Sequence, residues 1–212
     1  VNMDIELKNG TNLDLIKAIE KSYLKANGNP SAAKRYSDDA INWYRNYVPK
    51  AYNKVRTSQV FMDRSLWKNQ IQMGKFYFFD YDALHKDTLD IWDAFPFTVF
   101  FDSYVSKEGK AIILGLNMHY LPPKLRMIAF KILLGYRSES RYRKSTKLEL
   151  DWQKLKVLSQ HKLFKAAIHA YRVDHVRSVF VEIPASAWQH MIFLPVARWK
   201  KGNAQDAYNK IK

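Results

Sequence analysis

A chain of 212 residues is long enough to bury a sizeable hydrophobic core and sits near the ceiling of a single simple domain. With 47% hydrophobic and 15% aromatic residues it is too rich in core-forming side chains to stay disordered, and a formal charge of +15 with a pI near 9.8 favours polyanionic partners. The lack of cysteine removes disulfide scaffolds, thiolate zinc sites and cysteine nucleophiles.

No apolar run reaches the roughly 20 residues of a membrane-spanning helix. The opening Val1-Asn2-Met3-Asp4-Ile5-Glu6 lacks the basic-then-apolar order of a secretory signal. The chain therefore reads as soluble, not exported and without a membrane partner.

Along the chain, Thr11 and Asn12 stand as caps before Leu13, Leu15, Ile16 and Ile19, which predicts a helix ending near Asn27-Gly28-Asn29-Pro30. Ser31 caps a second helical stretch carrying Ala33, Tyr36, Ala40, Trp43, Tyr44 and Tyr47, and Pro49 breaks it. A polar, basic segment follows through Arg56, Arg64, Trp67 and Lys68. At Gly74 the period changes, and Phe76, Tyr77, Phe78, Phe79 and Tyr81 read as a strand. Residues 95–101 and 111–118 repeat that signal around the turn Ser106-Lys107-Glu108-Gly109, the pattern of a hairpin.

Pro122 and Pro123 then open a helix through Leu125, Met127, Ile128, Phe130, Ile132 and Leu133, with Gly135 as its C-terminal cap. After a basic loop from Tyr136 to Thr146, two more helices are expected, one through Leu148, Trp152, Leu155 and Leu158 and one from Leu163 to Tyr171. Val176 to Ile183 reads as a late strand closed by Pro184. The chain thus divides into a helical N-terminal arm at 1–70, an α+β core domain at 71–201 and a polar, frayed C-terminal tail at 202–212. The expected fold is α+β, a small and strongly bent antiparallel sheet with packed helices, and an SH3-like barrel is its candidate closure.

The acidic run Asp80, Asp82, His85, Asp87, Asp90 and Asp93 is the first place to look for a metal or acid-base site, because two carboxylates two apart on a strand share a face. The run lacks a glycine-pivoted calcium loop and contains Lys86, so a strand leaving the core for a solvated connection explains it better. A nuclease pattern fails at Val181-Glu182-Ile183-Pro184, where proline stands in place of lysine. His85, His119, His161, His169, His175 and His190 are scattered, and no glycine-rich phosphate loop or nucleophile elbow occurs. No enzyme, cofactor or metal is expected.

What the sequence does concentrate is cations interleaved with aromatics. Lys131, Arg137, Arg141, Arg143, Lys144, Lys147 and Lys154 crowd the third quarter of the chain, with Tyr136 and Tyr142 among them. Such residues neutralise phosphates, and the tyrosines can stack on exposed bases. The candidate nucleic-acid contacts are Lys131, Arg137, Arg141, Tyr142, Arg143, Lys144, Lys147, Lys154 and Arg177. A solvated helix face beside a basic loop has the same composition, and spacing does not separate the two.

The strand region then carries a resemblance. Gly74-Lys75-Phe76-Tyr77-Phe78-Phe79-Asp80-Tyr81-Asp82, His85-Lys86-Asp87-Thr88-Leu89, Phe95-Pro96 and the stretch Leu114 to Arg126 are similar, in order and spacing, to blocks of the DNA end protector family of T-even-like tailed bacteriophages. Ser145-Thr146-Lys147-Leu148, Ile168-His169-Ala170-Tyr171, His175-Val176-Arg177-Ser178 and Trp188 to Trp199 extend it, so the likeness runs from about Leu66 to Lys201.

It implies a late virion protein, made in the host bacterial cytoplasm, that binds double-stranded DNA ends, shields them from exonuclease and helps complete the head. Portal, neck or tail proteins are the implied neighbours, with several copies per particle. Ser106-Lys107-Glu108-Gly109-Lys110 and Trp92-Asp93 depart from the family pattern, which opens the hairpin tip to a different neighbour. The alternative is a structural neck, tail or baseplate component that meets other virion proteins through its basic surface.

Overall fold

The computed structural model of the protein describes residues 21–28, 43, 57–129, 162–184, 187–191, 194 and 196–210. Eight strands follow in chain order: β1 (Trp67–Lys68), β2 (Phe76–Phe78), β3 (Trp92–Asp93), β4 (Phe97–Val105), β5 (Ala111–Asn117), β6 (Ile168–Arg172), β7 (Phe180–Ile183) and β8 (Trp199–Lys200). Six of them form one antiparallel sheet in the order β1-β7-β2-β4-β5-β6, and β3 pairs with β8 in a separate ribbon. The α+β expectation with an antiparallel sheet therefore holds. Among the described residues β1 and β6 are open edges with no ladder between them, so the SH3-like closure is not seen.

The aromatic run at 76–79 is uninterrupted because β2 is covered on both faces. Phe76 and Phe78 join Phe97, Val99, Leu116, Val181 and Ile183 in the main core, whereas Tyr77 and Phe79 join Phe100, Ile113, Tyr171 and Phe180 on the opposite face. Phe78 stacks on Phe97 at 4.5 Å and on Phe95 at 5.2 Å between ring centroids, and Phe79 meets Tyr171 edge-on at 5.2 Å. Offset and edge contacts of this kind contribute about 0.5–1.5 kcal/mol per pair beyond area burial.

The predicted hairpin forms between β4 and β5. Ser106 N–H donates to Lys110 O at 2.8 Å, and Gly109 takes φ +74°, a left-handed conformation in which a side chain is strained. A bulge between Phe100 and Asp102 shifts the β4–β5 register. Gly115, opposite Phe100, has no room for a side chain. An added Cβ would lie 2.2 Å from Thr98 Cγ2, 2.9 Å from Phe100 Cδ1 and 3.0 Å from Val99 O. Gly115→Ala is expected to lower stability by about 1–3 kcal/mol through overpacking, read as a reduced denaturant midpoint at unchanged slope.

Helical pieces cover the main core. Leu125, Met127 and Ala129 of the helix at 123–129 are buried there, as are Trp188 and Met191 of Trp188–Met191. At the N-terminal side, Tyr23 is buried against Trp43 at 5.1 Å, and Phe61 of Thr57–Met62 meets Phe78 at 5.1 Å. Trp67 and Lys68, read from sequence within the helical arm, pair with Val181 and Phe180 in the sheet.

Several local readings change, among them the strand read through Tyr81, which ends at Phe78, and the late strand expected over Val176–Ile183, which is confined to Phe180–Ile183. The helix expected from Leu163 to Tyr171 is confined to Lys162–Lys165, and Ile168–Arg172 is strand β6. Pairing with β5, from Leu116↔Ile168 to Ile112↔Arg172, satisfies peptide groups that a helix here would leave unpaired in β5. The segment read as a frayed tail holds the helix Ala204–Asn209, started by a capping box. The Asn203 side chain accepts from Gln205 N and Asp206 N, Asp206 accepts from Asn203 N, and Ala207 and Tyr208 are buried. The helix starting at Pro123 is described to 129; its expected end at Gly135 and the helix expected through Leu148 lie outside the described residues.

Candidate nucleic-acid interface

Of the candidate DNA contacts, Lys131, Arg137, Arg141, Tyr142, Arg143, Lys144, Lys147 and Lys154 lie outside the described residues. Arg177 lies within them. Its side chain is 52% exposed, its Nη1 donates to Asp174 O at 3.1 Å, and its Nη2 stands 3.6 Å from Asp82. A surface pair this open is worth little and leaves the guanidinium accessible to a phosphate.

The acidic run does not gather. Asp80 and Asp82 flank the isolated bridge Tyr81↔Val176, past the end of β2 at Phe78, and each is taken up by a different cation. Asp80 binds Arg198 at 2.9 Å, Asp82 binds Lys86 at 3.1 Å, and Asp90 binds Lys210 at 3.3 Å. The hydrogen bond from Lys86, with the charges of Lys86 and Arg177, holds the Asp82 carboxyl below its usual range. No group of three or more His, Asp or Glu placed to hold a metal ion occurs among the described residues.

Asp93, the last of that run, has a different fate. It is 3% exposed in β3, and its carboxylate accepts from Phe95 N and Arg198 N at 3.0 Å, from Asn117 Nδ2 at 3.2 Å and from His119 Nδ1 at 2.6 Å. Burial works against the ionised form, but the His119 ring and the Phe95 and Asn117 donors outweigh it and keep the carboxyl below its usual range. Burial likewise pushes the His119 imidazole down against the pull of Asp93, with Arg126 adding to the push. A neutral ring donating through Nδ1 fits both directions.

Arg126, on the helix at 123–129, is itself buried and ties that helix to the rest. Its Nε donates to Leu121 O at 2.6 Å, and its Nη2 donates to the Tyr208 hydroxyl at 3.0 Å and to His119 O at 3.3 Å. Sequence reasoning placed Asp93 in a solvated connection. The signal against that was its apolar setting, Ile91-Trp92 before it and Phe95-Pro96-Phe97 after it.

Above this network lies a cleft of about 610 Å³, between the loop at 83–93, the hairpin turn at 106–110 and strand β6. Asp93, Asn117, Tyr120, His169 and Tyr171 form its inner wall, and Tyr81 and Trp92 flank it. Burial pushes the His169 imidazole down to about 4 and raises the Tyr171 phenol well above its ordinary value. Lys107, Lys110, Arg172 and Lys210 supply cations from three separate segments. Both stretches where the sequence departs from the end-protector pattern, 92–93 and 106–110, contribute to this wall.

The described residues define an α+β protein on an open antiparallel sheet, with Asp80, Asp82 and Asp90 of its acidic run in ion pairs and a cleft lined by lysine and arginine. The chain belongs to the phage T4 terminal DNA protecting protein family, whose model matches residues 3–211. The match takes in the N-terminal residues that the sequence resemblance, from about Leu66 to Lys201, left out. No curated protein and no solved structure matches the chain.

Proposed function

We propose that the protein binds the ends of the packaged linear phage genome and shields them, by steric and electrostatic means and without catalysis. The observation that carries this reading is the family match over residues 3–211. The charge of +15 supports it, since a chain of that balance attracts a polyanion. Synthesis in the host cytoplasm, incorporation into the virion in several copies, and a part in completing the head beside portal, neck or tail proteins belong to the same proposal.

The test is protection of linear duplex DNA from a processive exonuclease. Preincubated linear DNA is expected to survive, covalently closed circles are expected to compete poorly, and equal competition would remove end recognition. Added magnesium with no nuclease is expected to leave the DNA intact; cleavage would restore the enzyme reading.

The basic segment at 137–147 is assigned the phosphate contacts. Arg141→Ala/Arg143→Ala/Lys144→Ala is expected to weaken binding roughly tenfold or more and to flatten the log-log salt dependence by about 0.9 for each phosphate no longer neutralised, with unfolding unchanged. Unaltered affinity would exclude that segment.

A purely architectural neck, tail or baseplate role has one observation in its favour. Tyr104 and Val105 on the hairpin and Val173 beside it are exposed, apolar side chains suited to a protein neighbour.

A further inference from the structure

Resting on the reading that DNA ends are the ligand, we propose that the cleft beside β6 receives a single unpaired terminal nucleotide, with its base against Trp92 and its phosphate among Lys107, Lys110 and Lys210. A volume of about 610 Å³ lies in the range of small-ligand sites and admits a nucleotide but not a stacked duplex end. By size, the site therefore distinguishes an unpaired nucleotide, such as a frayed strand terminus supplies, from continuous duplex.

The walls supply what a nucleotide needs without reading its sequence. Trp92 is part-buried, and no aromatic ring or hydrogen-bond partner engages its side chain among the described residues. Leu84 and Leu89 are exposed apolar residues that extend the stacking wall. Base stacking on such surfaces tolerates any sequence, as an end-binding protein requires.

The cations are available to a phosphate. Lys107 makes no ion pair among the described residues, and Lys110 and Arg172 share one carboxylate, Asp174, at 3.5 and 2.6 Å. Lys210 pairs with Asp90, whose side chain is 87% exposed, so exchange for a phosphate costs little. Glu108 in the same turn is a carboxylate of opposing charge on the cleft lining. Behind the cleft, Asp93 and Asn117 are held in the buried network, so the inner wall is preformed.

The experiment compares the full chain on three fluorescent duplexes: one with a short single-stranded overhang, one blunt and GC-clamped, and one closed at both ends by hairpins. The overhang duplex is expected to bind about tenfold more tightly than the closed one. Lys107→Glu, on an exposed turn, and Trp92→Ala are expected to abolish that preference while leaving closed-duplex affinity unchanged, and Trp92→Phe is expected to retain most of it.

Equal binding of all three duplexes, or variants that weaken all three alike, overturns the cleft proposal but leaves DNA binding standing. No binding to any duplex overturns both. If the variants spare DNA but weaken attachment to DNA-emptied heads, the cleft seats a polypeptide along the free edge of β6 and the nucleotide assignment is wrong.

Discussion

Asp93→Ala is expected to lower the unfolding free energy by about 3–5 kcal/mol, the range for breaking a buried charged hydrogen-bond set. The loss comes less from the missing carboxylate than from what it leaves behind. The amides of Phe95 and Arg198, the Asn117 side chain and the His119 ring would all point at a void. Each buried donor without an acceptor costs about 1–3 kcal/mol, although relaxation and entering water recover part of it.

Asp93→Asn is expected to cost less. Its carbonyl can still take the Phe95 and Arg198 amides, and its NH2 can donate to His119 once the ring moves its proton to Nε2, but that NH2 also faces the Asn117 Nδ2 donor and the Nε2 proton finds no acceptor among the described residues, so part of the loss remains. Denaturant unfolding of both variants checks the ordering. Equal losses would show that the tautomer shift does not occur, and a loss below about 1 kcal/mol in Asp93→Ala would show that the network contributes little.

Acid destabilisation well above the carboxylate range is the second large effect. His169 titrates near 6.5 in the unfolded chain but at about 4 in the fold, because burial disfavours its cation more than Ala166 and Asp93 favour it. The folded value is depressed, so the unfolded state binds the extra proton below pH 6.5. Stability is then full above that pH and is lost progressively as pH falls toward 4, by about 3 kcal/mol from this group.

His119, also lowered, acts in the same direction, whereas Asp93 withdraws its contribution only as pH falls through its depressed value. His169→Phe is expected to flatten the profile between pH 6.5 and 4. A wild-type profile that is already flat there would contradict a neutral, part-buried imidazole.

Much of the local architecture was legible before any tertiary contact. The turn at 106–109 and the apolar runs on either side announced the β4–β5 hairpin, and the aromatic density from Phe76 to Tyr81 announced a strand, though not that it ends at Phe78 or is buried on both faces. Gly28 ends the described helix at 21–27, as its place after the apolar stripe implied. These succeeded because a turn residue or a two-residue alternation acts over a few positions. The readings that failed depended on distant partners. Residues 168–172 became a strand only because β5 offered its edge, and 204–209 became a helix anchored by burial of Tyr208 beneath Arg126.

The candidate site divides along the same line. Composition and order by themselves determined that the chain is basic, that it has no cysteine chemistry, that it folds as α+β around an antiparallel sheet, and, through its strand blocks, which family it joins. Tertiary structure alone decided that five of the acidic run's six members stay near solvent while Asp93 is enclosed with His119, 26 positions away. It also decided that segments near 90, 108, 170 and 210 meet around one cleft. The physical reason is that charge and periodicity are properties of neighbouring residues, whereas burial, and with it the ionisation and availability of a side chain, is set by whichever remote segment packs over it.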